Sequence, residues 1–283
     1  GRWQRWVPGA LVGLLLVGST AVTIRDYAAY SQDADTGYLF EQAARQMGER
    51  MSSAQSGLNA VYFVDERFWS GWPSIPFLAT HARILTFTPS DGLPPLPALA
   101  DVFIWPYTPR DYLPPALPEQ AVVWVNNGPL ARGDLEPEAY PLYVHYGITP
   151  PFSAAAVTLV SFGDALQLHW AGVTAVNGGL QVDLVWSGGT AVAPDLTIFV
   201  HVVDAHELIA QDDAPPGSGN WAAAWWRPGL LLHERRIIPL PQPFDAAQQQ
   251  VLLGVYDAAL NRLPAYAAAG APLGDVWIVK MGE

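Results

Sequence analysis

The chain contains no cysteine. That excludes disulfides, thiolate metal sites and cysteine nucleophiles together, and leaves each folded part to be held by its core. Charge is scarce as well. Lys and Arg number 14 against 26 Asp and Glu, 14% of the residues in all, for a net charge of −12. Two of the basic residues, Arg2 and Arg5, precede a long apolar run, so the chain beyond that run is more acidic still. An acidic exterior repels phosphate backbones and anionic lipid, which argues against nucleic acid as a partner. No G-x-S-x-G, P-loop, H-E-x-x-H or dinucleotide fingerprint occurs, and no H-x-H spacing. The residues therefore imply no cofactor, no metal and no catalytic side chain.

What is present begins with Val7 to Ile24, an uncharged stretch rich in Leu and Val. About eighteen residues rising about 1.5 Å each cover about 27 Å, roughly the hydrocarbon thickness of a bilayer. Arg2, Arg5, Trp3 and Trp6 flank it as cationic and aromatic anchors do at an interface. The positive flank sets the N-terminus on the cytoplasmic side and the bulk of the chain outside, as a single-pass cell-membrane protein facing the periplasm or exterior. A signal peptide is the rival reading, but no clean small-x-small cleavage site comes after it. Gly13, Gly18, Ser19 and Thr20 suit a helix that packs against other membrane helices. With no initiator Met, the chain is expected to be a processed protein or the tail of a longer one.

Past the span, Phe40, Ala43, Ala44, Met47 and Met51 recur at helical spacing. Asp33 or Asp35 is the expected cap of that second helix and Gly57 its end. From Asn59 the texture changes to short apolar runs: Ala60–Val64, Arg83–Phe87, Asp101–Trp105, Ala121–Val125 and Pro141–Tyr146. Near-continuous apolar runs suit strands buried on both faces, so residues 26–150 are expected to form a small α/β domain with a mostly parallel sheet. Thr149-Pro150-Pro151 marks the expected boundary. Beyond it, residues 151–283 carry seven β runs, several alternating in polarity and separated by Gly-rich turns. That pattern predicts an antiparallel β-sandwich, Ig-like or jelly-roll-like. The fold class expected is thus an N-terminal transmembrane helix (residues 1–25), an α/β domain and a β-sandwich.

Several motifs resemble a known family. Ile24-Arg25-Asp26-Tyr27, Gln32-Asp33 and Tyr38-Leu39-Phe40-Glu41 with Ala43-Ala44 resemble the segment after the last membrane helix of bacterial family-39-type glycosyltransferases. Those are many-spanning enzymes similar to protein mannosyltransferases and the lipid-A arabinose transferase. Phe199-Val200-His201-Val202-Val203-Asp204, Gln211 to Pro216, Trp226-Arg227-Pro228-Gly229 and Gly254-Val255-Tyr256-Asp257 resemble the sandwich at the C-terminus of some members. The resemblance implies an extracytoplasmic tail of such an enzyme and a sugar delivered on polyprenyl phosphate. The family's catalytic carboxylates lie in an early external loop that has no counterpart here, so no catalytic residue carries over.

Three constellations stand out. Asp65 and Glu66 come after a strand, and Asn126 after another, where open α/β sheets bind ligands; polar loops explain them as well. His169, His201, His206 and His233 lack ligand spacing, and Asp204, Asp212 and Asp213 read better as a solvated hairpin than as a calcium site. Trp221, Trp225 and Trp226 have three readings: core, docking surface for other membrane proteins, or a platform for a glycan. Trp221, after Gly217-Ser218-Gly219-Asn220, is expected to project from a loop and dock, while Trp226 is expected to be core. These features suit two functions: an accessory, non-catalytic portion of a glycosyltransferase-like protein, or a single-span subunit of a larger photosynthetic or respiratory membrane complex.

Overall fold

The computed structural model describes residues 3–33, 42–52, 60–80, 82–132, 138, 140–153, 157–205 and 207–279. Asp35, the Tyr38–Glu41 motif, Gly57 and His206 lie outside them. The first helix, α1 (Trp3–Gln32), is apolar all round in its middle: Leu14, Leu15, Leu16 and Val17, set about 100° apart, are each 63–76% exposed. Among the described residues, nothing in the body covers it. Over Val12–Ser31 it is long and apolar enough to cross a membrane, and none of that window is buried. The helix runs on beyond the anchor expected over residues 1–25. Asp33 closes it, donating its N–H to the Tyr30 carbonyl at 3.3 Å.

A short amphipathic helix, α2 (Gln42–Ser52), buries Ala43, Ala44, Met47 and Met51 along one face. It leads into β1 (Val61–Asp65), α3 (Glu66–Gly71), α4 (Ser74–Leu78), β2 (Arg83–Phe87), β3 (Ala100–Ile104), α5 (Leu113–Ala116) and β4 (Ala121–Asn127). A ribbon of β5 (Leu130–Ala131) and β6 (Tyr140–Pro141) precedes β7 (Val144–Thr149). All five residues of β1 and of β3 are buried, because helices cover one face and loops the other. Gly48 lets α4 close on α2: a Cβ there would stand 2.5 Å from Leu78 Cβ. The sheet is mixed rather than mostly parallel. β1 runs parallel to β2 and β3, but β7 lies antiparallel between β3 and β4. A direct turn from the β5–β6 ribbon into β7 returns the chain without a crossover helix, and only antiparallel pairing allows that.

The remaining strands are β8 (Val160–Phe162), β9 (Leu166–Val176), β10 (Gly179–Gly188), β11 (Thr197–Asp204), β12 (Glu207–Ala214), β13 (Leu230–Pro239), β14 (Gln249–Tyr256), β15 (Ala265–Ala267), β16 (Pro272–Gly274) and β17 (Trp277–Val279). A four-stranded antiparallel sheet in the order β12-β11-β14-β17 faces the rest in a sandwich-like arrangement. Val182, Leu184 and Trp186 on one inner face meet Ile198, Val200, Leu253 and Val255 in the same core. β12, β15 and β16 fall outside the seven expected runs, although the stretch from Asp204 to Asp213 was expected as a hairpin, which β11 and β12 form. β12 is an edge strand with one side open to water, and it mixes Leu208, Ile209 and Ala210 with polar residues.

The two parts share one sheet. β13 pairs in parallel with β4, matching Leu230 to Ala121, Leu232 to Val123 and His233 to Trp124. The result is an 11-stranded sheet, β16-β15-β8-β9-β10-β13-β4-β7-β3-β1-β2, that runs through the boundary expected at Thr149-Pro151. One apolar core spans both sides of it, from Phe63 to Val279. Leu232 is fully buried at this seam. Leu232→Ala is expected to cost about 2–5 kcal/mol, read by calorimetry of the full chain in detergent, with the body still melting as one transition. Two separated transitions would contradict a shared core.

Candidate functional site

The strands β1, β3 and β4 run in the same direction and end on one edge of the sheet. Such an edge is where open α/β sheets hold ligands. A cleft of about 280 Å³ opens there, lined by Thr108, Arg110, Gly219, Asn220, Ala222 and Trp225. Its two walls come from distant parts of the chain. One is the Pro-flanked loop after β3. The other is the turn between β12 and β13.

Arg110 joins the walls. Its Nη2 donates to the Pro106 carbonyl at 2.6 Å, and its Nη1 donates to Asn220 Oδ1 and, at 3.5 Å, to the Tyr146 hydroxyl. Tyr146 in turn donates to the Asn220 carbonyl at 2.8 Å, and burial pushes its phenol up to about 12, so it stays a neutral donor. Asn220 Nδ2 donates to Asn127 Oδ1 at the end of β4, 2.9 Å away. The turn itself holds Gly217, Ser218 and Gly219 at φ of 61°, 52° and 82°. Glycine reaches that region freely; Ser218 does so only under constraint. The constraint is Glu234, a buried carboxylate on β13 that accepts the Gly217 N–H and pairs with buried Arg236 at 3.4 Å.

Of the residues singled out from sequence, Trp225 alone lines this cleft. Asp65 lies at the expected strand end, yet its side chain is fully buried. It caps α3 by accepting the Arg67 N–H at 3.1 Å and is held by the Arg67 guanidinium, whose Nη2 also donates to Thr108. Asp65 thus supports the wall behind the cleft. Glu66 is half-buried in the first turn of α3. Asn126 is exposed and does not line the cleft; its neighbour Asn127 reaches the cleft only through the bond from Asn220.

The Trp cluster corrects the sequence reading most. Trp221 does not project: it is 3% exposed and Trp225 7%. Trp221 meets Trp225 and Trp226 edge-on, with both ring pairs 5.6 Å apart. The run before it is a pinned turn, whose Gly217 lies against Trp221 Cβ and Val125, and the indole joins the core that holds Val125. Trp226, expected as core, is half-buried and packs on the same core across Gly188. Trp225 alone of the three lines the cleft.

No protein-family model matches the chain, and no curated protein matches it either.

A second polar constellation crosses the outer face of the sheet. Buried Asp101 on β3 accepts from Arg50 of α2 at 3.1 Å and pairs with buried His145 on β7. Trp124 lies edge-on to His145, with the guanidiniums of Arg50 and Arg235 5.6 and 5.7 Å from its ring centre. On β10, Asp183 collects His233 at 3.1 Å, Arg235 at 2.8 Å and Gln181 at 2.6 Å. Burial alone raises both carboxyls, but these partners outweigh it and hold Asp101 and Asp183 below the usual carboxylate value. The other histidines are dispersed. His169 meets the Ser187 hydroxyl at 2.8 Å and His201 meets Asp213 at 3.0 Å. Among the described residues no group of three or more His, Asp or Glu is placed to hold a metal.

Sequence reasoning missed Thr108, Arg110, Asn220 and the Asp101–His145 pair. Arg110 did carry a signal, since the loop Pro106-Tyr107-Thr108-Pro109-Arg110 also comes after a buried strand. Asp101 and His145 sit inside apolar runs and become visible only when β3 and β7 pair, matching Phe103 with His145.

Two outcomes are expected. Trp221→Ala should destabilise the protein by about 3–5 kcal/mol, as loss of a buried large aromatic does; thermal unfolding close to that of the unaltered chain would contradict its burial. Asp101 and Asp183 have lowered folded values, so the stability they contribute is complete above about pH 4 and is lost as pH falls through those values. Urea midpoints measured down an acid series should fall there, and Asp101→Asn should flatten that fall.

Proposed function

We propose that this chain is a membrane-anchored, external, non-catalytic accessory portion of a glycosyltransferase-like protein. The observation that carries this reading is α1: twenty consecutive residues, Val12–Ser31, that no described part of the body covers. Water is a costly surrounding for such a surface, and a bilayer is not. The Arg2 and Arg5 flank sets the body outside. The body is of the Ig-like or jelly-roll-like sandwich kind, fused to a small mixed sheet.

The cleft gives the body something to hold. Its volume of about 280 Å³ is at the small end for ligand sites, and it combines a guanidinium, an amide, a hydroxyl and an indole edge. That mixture suits one polar ring such as the glycosyl unit of a polyprenyl-phosphate sugar, whose hydroxyls both donate and accept.

Protease added to intact spheroplasts should remove the body; complete protection would reverse the orientation. For the cleft, Ala222 is exposed and lines it, so Ala222→Trp fills it from the solvent side. Calorimetric titration with a short-chain polyprenyl-phosphate sugar should show binding to the unaltered chain and at least tenfold weaker binding to this variant, about 1.4 kcal/mol, at an unchanged melting temperature. Equal affinity for both, or no binding to either, would overturn the ligand reading.

A further inference from the structure

From Phe68 to Thr80 the chain carries no charged residue, although Arg67 and His81 bracket it. Those thirteen residues, FWSGWPSIPFLAT, form α3, the turn after it and α4. Phe68, Ile75 and Ala79 are buried beneath α2. Outward, Phe77 is 82% exposed and Leu78 43%, while Trp69 and Trp72 are half-buried and pack on the same core. Phe77 is the most exposed large hydrophobic residue among those described, and it stands outside the apolar helix α1. Other large apolar side chains of the body, among them Tyr107, Val157 and Leu260, are exposed as well, but none to the extent of Phe77.

Its position in the chain suggests its occupant. α4 is fixed to α2 by the Gly48–Leu78 approach and by the Ser52 hydroxyl, which donates to the Leu78 carbonyl at 2.7 Å. The apolar window of α1 ends at Ser31 and α2 begins at Gln42. Even fully extended at about 3.5 Å per residue, that connection reaches about 40 Å. The Phe77 surface is therefore confined to the neighbourhood of the bilayer that α1 enters. Aromatic side chains partition into the layer between headgroups and acyl chains, and an uncharged segment does so without repelling or attracting lipid charge.

We infer that α3 and α4 form a membrane-resting surface, in which Phe77, flanked by the partly exposed Leu78, seats in the interfacial layer of the bilayer and holds the body against it. This rests on α1 as the span. Contact through aromatic partition rather than charge is insensitive to salt, unlike the contact a polybasic patch makes.

The absence of cysteine makes the test direct, since any introduced cysteine is the sole labelling site. The full chain, one copy per phosphatidylcholine nanodisc, is labelled with a fluorophore at Thr80→Cys, at Val17→Cys or at Leu260→Cys. Thr80 is exposed beside Phe77, and Leu260 is 74% exposed in the sandwich. A nitroxide lipid at headgroup depth should quench the Thr80 label at least about twofold, equally at low and high salt, and leave the Leu260 label bright. Adding Phe77→Asp should return the Thr80 label to the Leu260 level. A Thr80 label as bright as that at Leu260, while deep nitroxide lipid quenches Val17, would overturn the resting surface and leave the anchor standing. A quenched Thr80 label with an unquenched Val17 label would overturn the anchor alone, and neither quenched would overturn both.

Discussion

The constraint on which the rest of this structure depends is the parallel seam between β13 and β4. Four residue pairs join strands more than a hundred residues apart, and they carry the sheet from the mixed region into the sandwich. A parallel pair needs a long connection, and here that connection is most of the sandwich itself. The cleft is a consequence. The turn before β13 must arrive beside the ends of β3 and β4, which places Asn220 against Arg110 and Asn127. Without the seam, the two walls would belong to separate bodies.

Charge inside this acidic chain is handled by pairing. Asp65 with Arg67, Asp101 with His145 and Arg50, and Glu234 with Arg236 each place a carboxylate where water does not reach it freely. A buried charge without a partner is costly, and removing one partner leaves the other stranded. Each pair also sets geometry that an apolar contact would leave loose. Arg67 positions Thr108 in the cleft wall, Arg50 ties α2 to the sheet, and Glu234 holds Ser218 in a conformation it would not adopt alone. Pairing here serves position more than stability.

The helix α1 and the body divide the work by solvent. α1 has no contact stripe, as a helix suited to a bilayer needs none, whereas α2 is amphipathic and α3 is capped, as helices that lie on a sheet are. On the proposed reading, an external body attached near a bilayer, with a small polar cleft and an uncharged apolar surface, is suited to holding a group in place for chemistry performed elsewhere. Such holding is the accessory role proposed for the chain.

Much of the local structure was legible in the residues. The uncharged run predicts α1, the Ala and Met spacing predicts the face of α2, and nearly every apolar run becomes a strand close to its expected limits. These features are set by contacts between near neighbours in sequence, through helix and strand periodicity. The exceptions have local causes too, as in β12, whose polar residues belong to an edge. What only the tertiary structure decided was pairing. Nothing in Leu230 to His233 announces Ala121 to Trp124 as a neighbour, since a buried parallel strand reads the same beside any partner. The same reason inverted the reading of Trp221: Gly217-Ser218-Gly219 signals a loop, but Glu234, distant in sequence, turns that loop inward. Residue types and their spacing determined the elements; long-range pairing of backbone and buried charge decided which elements meet, and so where the cleft lies.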